Sequence, residues 1–152
     1  MPLTIRPLLL LLLAAVTTQV SAADWPQWRG PNRDGKAPNP PAIKSLPAEP
    51  KKLWTIESGP GHAAVIISGK FLAYIDEIDG NEVVHLCDAA TAKELWRKEC
   101  GKLADYYNYG TGPRTTPLFD GDRIYTQSGR GEFRCFTVAD GKQLWRKNFE
   151  TD

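Results

Sequence analysis

The sequence predicts an all-β fold. Short segments rich in β-branched, aromatic or alternating residues fill residues 51–152, and turns that contain Gly or Asp-Gly separate them. No part of this region shows the sustained periodicity of an amphipathic helix. The same series of segments occurs twice, so the region is predicted to contain two copies of one antiparallel unit.

Each copy contains four predicted strands joined in series. In the first copy they are Ala64–Ser68, Phe71–Asp76, Glu82–Asp88 and Glu94–Glu99. In the second copy they are Thr116–Asp120, Arg123–Ser128, Glu132–Val138 and Gln143–Phe149. The turns between them, such as Asp79-Gly80, supply the positive φ angles that tight hairpins require. We therefore expect two four-stranded antiparallel sheets.

The repeat predicts the architecture. Leu86–Lys98 aligns with Cys135–Lys147 at an offset of 49 residues, and four strands per repeat at this period are typical of propeller blades. A closed propeller has about four to eight blades, whereas residues 51–152 hold about two. We expect a β-propeller of four-stranded antiparallel blades, present here as about two blades of a longer propeller whose missing C-terminal blades lie beyond Asp152.

Two tryptophans, Trp96 and Trp145, occupy the same position in the two copies. The residues before them resemble the tryptophan-docking motif of pyrroloquinoline-quinone-type propellers, Ala-x-Asp-x-x-Thr-Gly-x-x-x-Trp. The first copy keeps Asp88, Thr91 and Trp96 of this motif. The resemblance implies a structural role for these side chains, in which the indole seals one blade against the next.

The second copy keeps the glycine of the motif, Gly141, and its tryptophan, Trp145. In the family this glycine lets an indole lie on its peptide plane, whereas the first copy has Ala92 at the same position. We therefore expect Trp145 to be better buried than Trp96. Trp54 lies in a segment that looks like an outer strand, and it is the third expected docking tryptophan.

Residues 1–22 are predicted to be an export signal. Arg6 supplies one positive charge, Leu8–Val16 is an apolar run too short to span a bilayer, and Val20–Ala22 offers small residues for cleavage. No cysteine follows the apolar run, which argues against a bacterial lipoprotein anchor. We expect the mature chain in the periplasm or outside the cell, without a transmembrane segment.

Residues 23–50 are predicted to form an extended arm. They contain seven of the twelve prolines, which disfavour a helix. We expect Trp25 and Trp28 to dock on an apolar surface of the protein; the alternative is an exposed pair that binds a ligand. The run Asp24–Gly35 resembles the opening of exported quinoprotein-like repeat proteins of environmental bacteria such as planctomycetes. The remaining residues, 51–152, would then be the blades.

The composition excludes several classes of function. Nineteen Lys and Arg against 18 Asp and Glu give a net charge of +1, which excludes a polybasic arm that binds nucleic acid. His62 and His85 have no Cys or acid at ligand spacing, so we expect no zinc site.

Cys87, Cys100 and Cys135 are expected to be buried apolar residues; the alternative is a Cys87–Cys100 disulfide that leaves Cys135 free.

The resemblance implies pyrroloquinoline quinone and calcium as cofactors of those family members that are dehydrogenases. Such members often carry a vicinal cysteine pair, and they need a catalytic Asp. The sequence has no Cys-Cys pair and no catalytic constellation that we can name. We therefore expect no cofactor in this fragment.

The segment that links the two copies carries residues typical of recognition surfaces. It contains Tyr106, Tyr107, Tyr109 and Arg114, and Tyr and Arg are favoured at binding hot spots. A binding face is one interpretation, and packing of the tyrosines between the blades is the other.

We expect an exported, non-catalytic binding or scaffold module with an unidentified protein or small-molecule partner. The family is similar to the propeller lipoprotein of the outer-membrane β-barrel assembly machinery, which recruits partners through its faces. The alternative is the N-terminal part of a quinone-dependent alcohol or sugar dehydrogenase.

Overall fold

The structure is a computed structural model that describes residues 24–40, 44–104 and 110–152. The described residues form eight β-strands and no helix. The strands are β1 (Ile66–Ser68), β2 (Phe71–Ile78), β3 (Asn81–Asp88), β4 (Glu94–Lys102), β5 (Leu118–Asp120), β6 (Arg123–Gln127), β7 (Glu132–Thr137) and β8 (Gln143–Asn148).

The eight strands form two four-stranded sheets in chain order, β1–β4 and β5–β8. All neighbouring strands are antiparallel. We call them the first sheet and the second sheet. The prediction of an all-β fold with two four-stranded antiparallel units, consistent with two blades of a propeller, is confirmed.

The strand ends differ from the prediction in both directions. β1 and β5 each begin two residues later than predicted, whereas β2 and β4 continue further because pairing extends beyond the sequence pattern. β2 extends to Ile78, which pairs with Asn81. Asp79 and Gly80 alone then form the turn, with φ angles of 51° and 74°, as a two-residue hairpin requires. β4 continues to Lys102 because β3 and β4 stay paired across two register shifts.

The core lies between the two sheets. Alternate side chains of the first sheet point toward the second sheet, since successive residues of a strand face opposite sides. The buried cluster consists of Ile66, Ala73, Ile75, Val84, Leu86 and Cys100 from the first sheet and Phe119, Ile124, Phe136 and Val138 from the second. The two sheets therefore share one apolar core.

The arm joins the edge strands of both sheets. The backbone of Trp25 exchanges two hydrogen bonds with Ile67 of β1, with N···O distances of 2.8 and 3.0 Å. The carbonyl of Pro26 accepts a hydrogen bond of 2.9 Å from the amide of Phe119 in β5. Trp28, in contrast, is 60% exposed. Trp25 is therefore docked, whereas Trp28 is accessible to a ligand.

The three cysteines are buried and free. This confirms the expectation of buried apolar cysteines and excludes the alternative Cys87–Cys100 disulfide in this structure. Burial raises the pKa of Cys100 to about 12, and burial also raises the pKa values of Cys87 and Cys135. These thiols are accordingly inert at neutral pH.

Several predictions fall on residues that the structure does not describe. The export signal, 1–22, and the tyrosines Tyr106, Tyr107 and Tyr109 lie outside the described residues. Among the described residues, no helix has the length and hydrophobicity that a membrane span requires.

Candidate binding surface of the second sheet

The contact between the two sheets shows how one repeat docks on the next. The indole nitrogen of Trp96 donates a hydrogen bond of 2.8 Å to the carbonyl of Val138. Its ring lies over Gly141, where an added Cβ would be 2.8 Å from Cδ2 of the indole. Phe136 packs beside it, with ring centroids 6.5 Å apart. Trp96 of the first copy therefore packs on the turn of the second copy that contains Gly141.

This geometry corrects the expectation that Gly141 favours burial of Trp145. The glycine of one copy receives the tryptophan of the preceding copy, because the ring projects from its own sheet toward the neighbouring sheet. Trp145 packs within the second sheet, 5.9 Å from Tyr125 and 5.2 Å from Phe133 between ring centroids. Both tryptophans are half-buried.

The turn before each tryptophan is held by a carboxylate and a hydroxyl. Asp88 Oδ1 accepts hydrogen bonds from the amide and the hydroxyl of Thr91, at 2.9 and 2.8 Å. In the second copy, the hydroxyl of Thr137 donates a hydrogen bond to Oδ1 of Asp140. The two residue types have exchanged places, yet the hydroxyl–carboxylate bond is present in both turns. These bonds lower the pKa values of both aspartates.

The second sheet has a face equivalent to the one that the first sheet buries. The repeat offset and the strand registers match Ala73 with Tyr125, Val84 with Phe133, and Leu86 with Cys135. In the first sheet these positions are fully buried. In the second sheet Tyr125 and Phe133 are only half-buried.

We call this surface the aromatic face and define it as Leu118, Tyr125, Phe133, Trp145 and Phe149. Phe133 lies 6.3 Å from Tyr125 and 5.9 Å from Phe149 between ring centroids. Phe149 is 65% exposed. The sequence offered a signal for this surface, since the repeat alignment places aromatic residues where the first copy has small or aliphatic ones.

A groove of about 650 Å³ opens beside the aromatic face. Trp28, Arg114, Leu118, Asp120, Tyr125 and Phe133 are among the residues that line it. Arg114 donates a hydrogen bond of 3.2 Å from Nη2 to the carbonyl of Gly110. Arg114, a predicted binding residue, and Trp28 of the arm therefore line the same groove.

Trp54 lies on the opposite side of the first sheet. With Ile56 and Ser58 it borders a cavity of about 250 Å³, whose other walls are Val65, Leu72 and Tyr74. Trp54 is half-buried. Its ring borders the inner strands, at a different place from the turn position that Trp96 occupies on the second sheet.

Two features of the described residues bear on the quinone and calcium that the family's dehydrogenases bind. Cys87, Cys100 and Cys135 lie in three different strands and are buried. In the described ranges, no group of three or more His, Cys, Asp or Glu side chains is arranged to hold a metal ion.

The chain is similar to one protein family and to two solved structures. Residues 44–152 match the family model described as outer membrane protein assembly factor BamB. A europium-containing methanol dehydrogenase is 22% identical with a TM-score of 0.41, and the match covers 56% of this chain and 15% of that one. BamB from Moraxella catarrhalis is 16% identical with a TM-score of 0.28, with coverage of 62% and 38%. This chain thus spans less than half of either structure's length, and no curated protein matches it.

Proposed function

The chain belongs to the family described as outer membrane protein assembly factor BamB, and from this membership we propose that it is an exported, non-catalytic binding or scaffold module that assembles through its aromatic face. The family description names an assembly factor and not an enzyme. An assembly factor of the outer membrane works outside the cytoplasm, which agrees with an exported chain.

The observation that carries the proposal is the exposure of aromatic side chains at positions that the repeat otherwise buries. The covered face of the first sheet packs against another sheet, which supports a sheet as the natural partner of the aromatic face. Contiguous exposed apolar surface of this kind marks interaction sites, and aromatic residues are enriched at the centre of interfaces.

For a chain of residues 1–152 we propose a second copy as the occupant of the aromatic face, in the place that a third blade takes in a longer propeller. A second copy supplies an identical face, so two copies related by a two-fold axis bury both faces in one isologous contact. The net charge of +1 gives little repulsion between copies. Trp28 stands at the edge of the groove and extends the contact surface.

Sedimentation velocity of the purified chain over a range of concentrations tests the proposal. Phe149→Ser removes an exposed ring without touching the core, and we expect it to weaken association at least about tenfold, which corresponds to 1.4 kcal/mol. Leu53→Ser is the matched control, because Leu53 is 74% exposed and lies outside the aromatic face. A chain that stays monomeric, or that both substitutions weaken equally, contradicts the proposal.

A quinone-dependent dehydrogenase is the alternative function. Calorimetry with pyrroloquinoline quinone and Ca²⁺ is expected to give no binding, and dye-linked alcohol oxidation is expected to be absent. Micromolar quinone binding that a chelator abolishes would establish the alternative. Because this assay does not depend on association, the two functions are tested separately.

A further inference from the structure

The groove beside the aromatic face combines ring surfaces with polar side chains of opposite charge. Three of the side chains that line it are aromatic, those of Trp28, Tyr125 and Phe133. Arg114 and Asp120 line it as well. Its volume of about 650 Å³ lies within the range of about 300–1,000 Å³ that is typical of small-molecule sites. The groove therefore has the size and the mixed lining of a ligand site.

Trp28 lies in a loop of the arm that its own backbone hydrogen bonds close. The amide of Gly30 donates to the carbonyl of Gln27 at 3.0 Å, and the amide of Gly35 donates to the carbonyl of Arg29 at 2.9 Å. The guanidinium carbon of Arg29 lies 5.4 Å from the centroid of the Trp28 ring, which is a cation–π distance. Trp28 is nevertheless 60% exposed. The loop thus presents a preorganised ring, so a ligand loses little affinity to ordering it.

The polar side chains of the groove include both hydrogen-bond donors and hydrogen-bond acceptors. An ionised Asp120 accepts, the guanidinium of Arg114 donates, and the amide of Gln127, which also lines the groove, does both. Asp120 and Gln127 are exposed, and Arg114 is half-buried. A ligand that fits this groove therefore needs apolar surface for the rings and groups that both donate and accept hydrogen bonds.

The two opposite charges narrow the class of ligand. An anionic ligand meets the like charge of Asp120, a cationic ligand meets that of Arg114, and such juxtapositions are unfavourable. A wholly apolar ligand removes water from both groups without replacing its hydrogen bonds, which is costly. A neutral saccharide avoids these costs, because each hydroxyl group both donates and accepts. The C–H groups on the flat faces of its sugar rings also suit the negative faces of aromatic side chains.

We propose that the groove is a binding site for a neutral oligosaccharide. Its sugar rings pack on Trp28 of the arm and on Tyr125 of β6, which line the groove together. Its hydroxyl groups bind Asp120 and Arg114. The site needs only one copy of the chain. Because Tyr125 also belongs to the aromatic face, the oligosaccharide and a second copy compete for this ring, and saccharide binding is measured where the chain is monomeric.

Proton–nitrogen NMR of the indole groups tests the site directly. The chain has five tryptophans, and cellohexaose and maltohexaose are the added ligands, at a protein concentration where sedimentation velocity shows a monomer. We expect a saturable shift of the Trp28 indole signal with at least one of them, and no shift for Trp54 and Trp96, which do not line the groove. The absence of a saturable Trp28 shift with both hexasaccharides overturns the proposal. The association of two copies is measured separately by sedimentation, so the two proposals can fail independently.

Substitutions measured by calorimetry separate stacking from hydrogen bonding. Trp28→Ala should raise the Kd of the hexasaccharide at least about tenfold, and the exposure of Trp28 leaves the core intact. Asp120→Asn should raise the Kd about threefold, because the amide is a weaker acceptor than the carboxylate. Asp122→Asn is the matched control, since Asp122 is an exposed neighbour that does not line the groove. Equal effects of the two aspartate substitutions, or tighter binding of hexagalacturonate than of both neutral hexasaccharides, would contradict the assignment.

Discussion

The two sheets share one topology and one repeat, but they differ in what covers their equivalent faces. The covered face of the first sheet carries Ala73, Val84 and Leu86, which are fully buried beneath the second sheet. The aromatic face of the second sheet carries Tyr125 and Phe133 at matched positions, and both are half-buried. Small and aliphatic side chains allow close approach of a neighbouring sheet, whereas the rings pack on one another within their own sheet.

The comparison teaches that a repeat specifies the strands and the docking contact separately. Both sheets form complete antiparallel ladders, because strand pairing depends on turns and alternation inside one copy. The docking of Trp96 depends on Gly141 and Val138, which belong to the next copy. The two levels of structure therefore respond to different substitutions.

The largest expected effect is that of removing the docked indole. Trp96→Ala should destabilise the protein by about 3–5 kcal/mol, because it leaves a cavity at the contact between the sheets. It also removes the hydrogen bond to Val138. Trp145→Ala should cost less, since the rings that Trp145 is shown to contact, Tyr125 and Phe133, belong to its own sheet. Denaturant midpoints of both variants measure the difference, and a larger loss for Trp145→Ala would contradict the assignment of the docking contact.

The next largest effect concerns the turn position that receives the indole. Gly141→Ala should destabilise by about 1–3 kcal/mol, because its Cβ would clash with Trp96 at a φ of 67°. Ala92→Gly is the matched reverse change in the first copy, where Ala92 has a φ of 61°. It should stabilise slightly, since glycine adopts this conformation without strain. Thermal unfolding of both variants tests this, and opposite signs are the expected result.

Much of this structure could be predicted from the sequence, and the failures have a common cause. The strands and turns followed from local patterns, such as Asp79-Gly80 between alternating segments. The packing of the Trp96 indole on Gly141 could not be predicted in this way. Aligning two copies shows which residues are equivalent, but it does not show which residues are in contact. The contacts of His85 with two carboxylates were missed for the same reason. Its partners Asp76 and Glu94 are nine residues away on either side, and only the strand registers bring them to one face.

Glu82 gives a pH-dependent test of the contact between the sheets. Burial raises the pKa of Glu82 above its ordinary value of 4.5, and the hydrogen bond from the Gly129 amide opposes the shift. A raised pKa means that the folded state favours the protonated carboxyl, so stability falls as the pH rises through the folded-state pKa. Glu82→Gln should therefore stabilise by about 1 kcal/mol at pH 7 and have no such effect below pH 4.5. An equal gain at both pH values would contradict this explanation.

Glu132 gives the opposite pH dependence within the second sheet. The side-chain hydrogen bond from Arg146 lowers the pKa of Glu132 from 4.5 to about 2. The stabilisation is therefore complete above pH 4.5 and is lost as the pH falls toward 2. Glu132→Gln should cost no more than about 1 kcal/mol at pH 7, because Arg146 is half-exposed. The difference in unfolding free energy should vanish near pH 2; a difference that persists there would exclude the ion pair as its source.

The smallest expected effect tests whether the two turns are interchangeable. Asp88 and Thr91 of the first sheet occupy the places of Thr137 and Asp140 in the second, and each turn keeps the hydroxyl–carboxylate bond. The double substitution Asp88→Thr with Thr91→Asp gives the first turn the arrangement of the second. The bond is rebuilt in the reverse direction, so we expect an unchanged thermal midpoint. Asp88→Thr alone should lower the thermal midpoint, because it leaves two hydroxyls and no carboxylate in the turn. The amide of Thr91 then loses the carboxylate to which it donates a hydrogen bond of 2.9 Å in the unmodified chain. If the double variant is as unstable as the single one, the backbone of each turn is specific to its own residue order and the two copies are not equivalent at this position.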